Sequence, residues 1–401
     1  MKVLQINTVK VGSTGKIMLG IAQLAKEKNI EAFCAVPVTK YNKNKYSDKN
    51  NWLIGTYYGR YLSMLLARIT GGNGCFAWMK TRRFLKKLDK EKPDLLHFHN
   101  LHDSYINLPL LFEYVKKRNI PVVWTLHDCW SFTGHCVHFD MFGCGKWKTG
   151  CSSCPQYKEY PKSYIDNSKT MYKLKKKWFT GVQDMTLVTP SKWLEDLVKQ
   201  SFLKDYPVKV INNGIDLSIF KPTESSFREK YGLEDKFILL GVAFGWGERK
   251  GLDVFIELSK RLDDSFQIVL VGADETVDKQ LPNNIISIHR TQNQRELAEI
   301  YTAADLFVNP TREENFPTVN IESLACGTPV VTFKTGGSPE MLDGTCGVVV
   351  EKDDLEGLER EILRTQKQKY FSKEACICRA SMFSADEKFA EYIELYKEKQ
   401  K

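Results

Sequence analysis

Two spacings of apolar residues alternate along the whole chain. Short, nearly continuous apolar runs such as VLQIN (3–7), EAFCAVPV (31–38), KFILLGVAF (236–244) and FQIVLVG (266–272) have the length and β-branched content of strands buried on both faces. Between such runs, apolar positions recur three and four apart, as at Ile17, Ile21, Leu24 and Ala25, the period of a helix with one buried face. Strand and helix following each other in this way predict an α/β protein built on parallel, doubly wound sheets.

One stretch carries more than periodicity. In DLFVNPTREENFPTVNIESLACGTPVV (305–331), a strand over Asp305–Pro310 leads into an acidic loop, Thr311–Phe316, then a helix and a second strand. Pro317 suits the first turn of that helix, and Gly327 suits the position just past its end. The pattern places Glu314 in the loop after a strand and Glu322 on the helix. Ligands of open α/β sheets sit at the carboxyl ends of the strands, beside helix N-termini. A carboxylate there repels phosphate but accepts hydrogen bonds from sugar hydroxyls, while an anionic group on the same ligand meets the helix end. This is the outline of a nucleotide-sugar pocket.

Length and charge divide the picture in two. The 401 residues exceed one compact core and suit two domains of roughly 200 residues each. The expected boundaries are a first domain at 1–215, a second at 216–380, and a terminal helix within 381–401 that packs back toward the first. Residues 1–200 carry 32 Lys and Arg against 15 Asp and Glu, a net +17, whereas residues 201–401 carry 26 against 34, a net −8. Such a split predicts a basic domain facing an anionic membrane surface or nucleic acid, or a solvated lysine-rich face. Nucleic acid is disfavoured, because no recognisable nucleic-acid module accompanies the charge. The opening MKVLQIN enters a strand directly and predicts no signal peptide, and no apolar run reaches about 18 residues. Eleven cysteines without a secretory context predict reduced thiols in a cytoplasm.

Candidate chemistry in the first half gathers at strand ends. After the first strand, VGSTGK forms a small-residue loop in which Gly15 allows close approach of a phosphate, although the GxxxxGK[ST] spacing is absent. A Lys/Asn-rich stretch, Thr39–Asn51, is expected as an exposed loop. The segment 57–90 pairs an amphipathic stretch (Tyr57–Ile69) with a basic helix in which Arg82, Arg83, Lys86, Lys87 and Lys90 lie beside Phe76, Trp78, Phe84 and Leu88. That mixture suits a membrane interface or a lipid-phosphate acceptor, or equally an ordinary surface helix. Strands at 94–100 and 120–128 end in histidines, of which His127, with Asp128, is the better candidate for a site; His97 and His99 suit packing. Cys136, Cys144, Cys151 and Cys154 have the parts of a structural zinc site with four thiolates, in which His135 or His138 could replace a thiolate. The alternative is a set of small buried thiols in a Trp-rich loop. In the second half, Arg249 and Lys250 stand just ahead of a helix N-terminus, where cations and free N–H groups can hold a diphosphate.

Taken together, these residues resemble the family-4 retaining glycosyltransferases of the GT-B fold. The likeness rests on the E-x7-E pair Glu314 and Glu322, on RKG (249–251), on VTPS-KW (188–193) and on NNGID (212–216). The segment TLHDCWSFTGHC…GC…GCSSCP resembles the branch that builds capsular or colanic-acid-like exopolysaccharides. The resemblance implies two Rossmann-like domains facing across a cleft, the first for acceptor and the second for donor. It implies a hexosyltransferase moving sugar from a UDP- or GDP-sugar to a growing, lipid-linked glycan, with no cofactor required for catalysis. Lys250, with Arg249, would bind the diphosphate, Glu322 the ribose, and Glu314 the transferred sugar. Asn315, Phe316, Thr318 and Val319 would offer backbone amides; Gly15 would sit near phosphate or acceptor, and His127 near the sugar. The implied setting is the cytoplasmic face of a membrane, peripherally bound.

Two departures from the family pattern bear on the phosphate grip. Gly245 stands where the family often has an arginine, five residues before the lysine, so Arg249 would have to substitute. In the acidic loop, Asn315 and Pro317 replace glycines, and proline offers no N–H. The competing readings are a nucleotide-sugar epimerase of the same fold and a non-catalytic binding subunit of a polysaccharide assembly.

Overall fold

The computed structural model describes residues 1–40, 42 and 50–400. Most of the Lys/Asn-rich stretch expected as a loop lies outside the described residues, and its last residue, Asn51, begins a strand. The described chain falls into two compact units, Met1–Asn212 with Lys388–Lys401, and Asn213–Glu387.

The first unit holds seven parallel strands: β1 (Lys2–Ile6), β2 (Glu31–Pro37), β3 (Asn51–Ile54), β4 (Leu95–Phe98), β5 (Val122–Thr125), β6 (Met185–Thr189) and β7 (Val208–Val210), in the order β3-β2-β1-β4-β5-β6-β7. The second holds six: β8 (Phe237–Val242), β9 (Phe266–Val271), β10 (Ile285–Ile288), β11 (Leu306–Asn309), β12 (Val330–Phe333) and β13 (Gly347–Val350), in the order β10-β9-β8-β11-β12-β13. Each order reverses direction once, between β1 and β4 and between β8 and β11, the doubly wound arrangement whose ligands gather at the reversal. The apolar runs explain the parallel pairing. Val3, Leu4, Leu95, Leu96, Val122 and Val123 are fully buried although successive side chains point to opposite faces, so both faces must be covered by helices. Each such side chain contributes roughly 1.5–3 kcal/mol of burial energy.

The last helix, Ala385–Glu398, serves the first unit from Lys388 onward. Tyr392, Ile393, Leu395 and Tyr396 are buried in the cluster that contains Ile17, Met18 and Ile21. The Tyr396 hydroxyl lies 2.6 Å from His97 Nδ1, and the Tyr392 hydroxyl accepts from Thr125 Oγ1 at 3.2 Å.

Two helices of the first unit depart from expectation in how they face. In Trp78–Glu91, Phe84 and Leu88 are core residues, whereas Trp78 stays exposed with the Arg82 guanidinium 5.5 Å from its ring centre, so only part of the expected aromatic and basic mixture lies on the surface. The preceding helix, Tyr57–Thr70, instead turns its apolar side outward. Only Ser63 and Ala67 are buried, whereas Tyr58, Tyr61, Leu62, Leu65 and Ile69 are exposed.

Candidate active site

In the second unit the reversal point lies between β8 and β11, and the loops that follow these two strands carry the charged residues. After β8, the chain passes through Ala243–Gly247 into a single 3-10 turn, Glu248–Lys250, ahead of the helix Leu252–Arg261. After β11 comes Pro310–Pro317 and then the helix Thr318–Ala325, so Pro317 precedes the first turn rather than lying within it. The Lys250 ammonium and the Glu314 carboxylate form an ion pair that joins the two loops. Their side chains are only 19% and 21% exposed, so each charge is partly desolvated and the pairing is correspondingly strong.

Arg312, which sequence reasoning passed over, builds the frame for this pair. Its guanidinium grips both Asp253 carboxylate oxygens, at 2.8 and 2.7 Å, and donates to Asp353 Oδ1 at 2.6 Å. Its backbone N–H donates to the Arg249 carbonyl at 2.9 Å. The acidic loop is thereby bolted to the start of the helix that follows Lys250. The Arg312 hydrogen bonds hold the Asp253 carboxyl below its ordinary range, and Asp253 in turn holds the guanidinium charged. The only sequence signal was an arginine between Thr311 and the two acids, which period and motif leave unassigned.

A second loop backs the first. Gly337 N–H donates to the Asn315 carbonyl at 2.7 Å, and Thr335 Oγ1 donates to the Thr311 carbonyl at 2.9 Å. Gly336 has φ +54°, and a Cβ there would lie 1.7 Å from the Glu314 carbonyl oxygen, so only glycine fits. Gly245 likewise has φ +81°, a backbone state that would strain the arginine the family pattern places there. Glu322, half-buried on its helix, accepts from the Tyr301 hydroxyl at 3.3 Å. Asn315 and Phe316 are buried, while Thr318 and Val319 at the helix start are half-buried. Arg249 contributes its carbonyl to Arg312 and Thr311.

In the first unit, the strand ends assemble a row of imidazoles. Gln5 Nε2 donates to the Met18 carbonyl at 3.0 Å, which leaves Gln5 Oε1 to accept from His99 Nε2 at 2.9 Å. His99 Nδ1 must then be the acceptor for His127 Nε2–H at 3.0 Å, and the two rings stack at 5.3 Å. The proton positions therefore follow from a backbone carbonyl one helix away. Burial pushes His127 down to about 4 and carries His97 and His99 well below their ordinary value, so all three rings are neutral. His102 Nε2 lies 3.1 Å from Asp128 Oδ2, and its Nδ1 accepts from the Tyr160 hydroxyl at 2.9 Å. Burial would raise the Asp128 carboxyl, but His102 and the Trp130 N–H bring it below its usual range. Gly15 lies inside the helix Gly12–Glu27 rather than in the loop, and a Cβ there would lie 2.3 Å from the Lys10 backbone. The close approach it permits is therefore to its own loop.

The cysteine-rich segment differs from its expected arrangement. None of the eleven cysteines forms a disulfide. The Cys136 thiol donates to Cys154 Sγ, and Cys151 Sγ accepts from Gly134 N–H at 3.2 Å. Cys144 and Cys151 pack at the edge of the aromatic core. Among the described residues no group of three or more His, Cys, Asp or Glu side chains is placed so that it could hold a metal ion. The four-thiolate zinc site read from Cys136, Cys144, Cys151 and Cys154 is thus not formed here; packing holds the segment instead. Its anchor is Lys175, fully buried, whose ammonium donates to the carbonyls of Trp130 (2.7 Å) and Thr133 (3.0 Å) and sits 3.4 Å from the centre of the Trp130 ring.

Two Rossmann-like domains of this strand order, with the charged loops at the reversal point of the second, define the GT-B class of fold. Comparison with known proteins agrees. Residues 62–219 match the family model described as Glycosyltransferase Family 4, and residues 235–368 match that described as Glycosyl transferases group 1. The chain is 27% identical over 276 residues to the colanic acid biosynthesis glycosyl transferase WcaC of Escherichia coli (strain K12). That alignment covers 66% of this chain and 65% of the relative, so the chain spans just under two thirds of the relative's length. Among solved structures, sucrose-phosphate synthase from Thermosynechococcus elongatus superposes with a TM-score of 0.73 at 16% identity, covering 99% of this chain and 98% of that one. Alr3699/HepE from Anabaena, solved in complex with UDP, gives 0.69 at 16% identity over 99% and 100%. The chain belongs to the group 1 and family 4 glycosyltransferases.

Proposed function

We propose that this chain is a retaining hexosyltransferase that moves a sugar from a UDP- or GDP-sugar to a growing, lipid-linked glycan in surface polysaccharide synthesis. The observation that carries the reading is the Lys250–Glu314 ion pair at the β8/β11 reversal point, with Glu322 on the helix that follows the same loop. A donor diphosphate takes the place of Glu314 at Lys250, with Arg249 beside it. The exchange leaves the Glu314 carboxylate to accept hydrogen bonds from the hydroxyls of the transferred sugar. Glu322 accepts from the ribose hydroxyls, and the N–H groups at Asn315, Phe316, Thr318 and Val319 face the diphosphate. His127, neutral and held by His99, serves the sugar as a hydrogen-bonding group rather than as a cation. Gly15 has a positioning role in the helix start after β1.

In the step itself, the bond between the anomeric carbon and the diphosphate oxygen breaks as the acceptor oxygen bonds to that carbon on the same face. The acceptor proton passes to the departing phosphate, so neither glutamate becomes a covalent nucleophile. Lys250 stabilises the charge that develops on the leaving group, where fixed cations act most strongly.

The acceptor is proposed to be presented at an anionic membrane surface. Tyr58, Tyr61, Leu62, Leu65 and Ile69 form an apolar outer face on one helix, and Arg82, Arg83 and Lys86 are exposed on the next. Such a face suits interfacial binding, and among the described residues no helix is long and apolar enough to cross a membrane. The decisive experiment incubates the protein with a panel of UDP- and GDP-sugars and a membrane extract. Release of nucleoside diphosphate that depends on Glu322 is expected; no release with any donor, or release indifferent to Glu322→Ala, refutes the transferase reading. Co-sedimentation with anionic but not neutral liposomes, weakened by Leu62→Glu, tests the surface.

A further inference from the structure

Beneath the outward-turned helix lies a cavity that the chemistry above does not use. It has a volume of about 390 Å³ and is lined by the inner side of that helix (Met64, Ala67, Arg68), the turn at Asn73, the loop after β4 (Asp103, Ser104), His135 and the segment Lys158–Ser163. This size falls within the roughly 300–1,000 Å³ of small-molecule sites. We propose that the cavity is a saccharide subsite that takes one hexopyranose unit of the acceptor glycan. The proposal rests on the transferase reading for its purpose, though not for the binding itself.

Three walls of the cavity carry a buried polar atom without a partner: Ser104 Oγ, Asn73 Oδ1 and His135 Nε2. Ser104 and His135 are 1% and 6% exposed, so these are not surface groups that water meets freely. His135 hydrogen-bonds to the Glu159 backbone through its other ring nitrogen, which leaves Nε2 as a bare acceptor. Burying such groups unpaired costs about 1–3 kcal/mol each, a cost that a matching ligand removes.

The kind of group missing identifies the ligand. An imidazole lone pair and an amide oxygen require donors, and the Asp103 carboxylate in the same lining is already paired with Arg60. A phosphate ester offers next to no donors at neutral pH, so it cannot pair the imidazole lone pair and the amide oxygen. A pyranose offers hydroxyls that donate and accept, together with C–H faces that pack on Met64, Ala67 and the Tyr160 ring. Arg68, Lys158 and Lys162 complete the walls with donors for the sugar oxygens.

The cavity is also tied to the strand-end imidazoles. Tyr160, in its wall, donates to His102 at 2.9 Å, and His102 lies 3.1 Å from Asp128, the neighbour of His127. A sugar seated against Tyr160 is therefore two hydrogen bonds from the strand-end residues of β5. On its other side, the same helix carries the apolar face proposed to meet the membrane, so a saccharide and its lipid would be held by opposite sides of one element.

The test uses the full chain without donor. Methyl glucoside, galactoside and mannoside are the probes, followed by saturation-transfer NMR and by the ¹³C methyl signal of Met64, which a Met64→Leu variant assigns. At least one hexoside should take up saturation and shift the Met64 methyl. Ser104→Val and His135→Phe should each weaken that binding at least tenfold and leave UDP or GDP binding unchanged. If no hexoside shifts Met64 in the unmodified chain, the subsite does not exist, whether or not the variants fold. Binding that persists in both folded variants, or a Met64 shift caused by inorganic phosphate and by no sugar, also overturns it. Hexoside binding at Met64 in a chain that binds neither UDP nor GDP would sustain the subsite while refuting the donor reading.

Discussion

The two units share a strand order but use the ends of their strands in opposite ways. The half of the chain that carries the excess of Lys and Arg lines the pocket of His99, His102, His127 and Asp128 with neither among the described residues, and keeps the Lys175 ammonium buried against Trp130. The acidic half places Arg249, Lys250 and Arg312 at its reversal point. Net charge of a domain therefore describes its surface and says little about its site. In the first unit, the strand-end imidazoles are made neutral by burial and fixed by hydrogen bonds that run from Gln5 to His127. In the second, side chains at the reversal point are fixed by opposite charges, as at Lys250 and Glu314.

That contrast is most easily broken at Lys250. If the second unit works by charge, Lys250→Ala should lower the rate of nucleoside diphosphate release about 10²–10³-fold, as loss of a single transition-state contact typically does. A drop of less than threefold would mean the pair is merely structural. His127→Gln keeps a neutral donor and should cost far less, about tenfold or below, because no charge is lost; a larger loss would erase the distinction between the units.

Arg312→Ala should unfold the frame rather than the chemistry. Its side chain is 13% exposed while Asp253 and Asp353 are about half exposed, so a loss of about 1–3 kcal/mol is expected in urea unfolding. Arg312→Lys should recover only part of it, since a lysine cannot grip both Asp253 oxygens.

Acid should act through the first unit. His127 ionises near 4 in the folded chain against an ordinary 6.5, and His97 and His99 are shifted the same way. Between those values the unfolded chain binds more protons, so stability is complete above pH 6.5 and falls as the pH drops toward 4. Unfolding midpoints at pH 7, 6 and 5 should decline in that order, and less steeply in His99→Gln. The smallest effect concerns the thiols. Its hydrogen bond with Cys136 brings Cys154 down to about 7, so its alkylation should quicken as pH rises through 7 and level off above. Alkylation that appears only after chelation would instead reveal a bound metal.

Much of the second unit's site was legible because it is local. Glu314 and Glu322 lie in one strand–loop–helix run, and Arg249 and Lys250 in another, so local pattern placed Glu314 in a loop, Glu322 on the helix after it, and the two cations ahead of a helix. Arg312 was not legible, since its partners, Asp253 and Asp353, are 59 and 41 residues away. The same limit applies to Lys175. In a lysine-rich helix nothing local distinguishes the one residue whose ammonium is buried under Trp130. For the thiols, spacing left open a metal site or small groups packed in a Trp-rich loop, and the structure packs Cys136, Cys144 and Cys151 against that aromatic core.

The sequence by itself determined the order of strands and helices, the two-domain division and the charged residues of the loops after β8 and β11, because apolar period and short motifs are properties of neighbouring residues. Only the tertiary structure decided which charges are paired, which histidines are neutral, and which side of the helix Tyr57–Thr70 faces outward. Burial and pairing depend on residues brought together from distant parts of the chain, and it is they that set the protonation, strength and accessibility of each group.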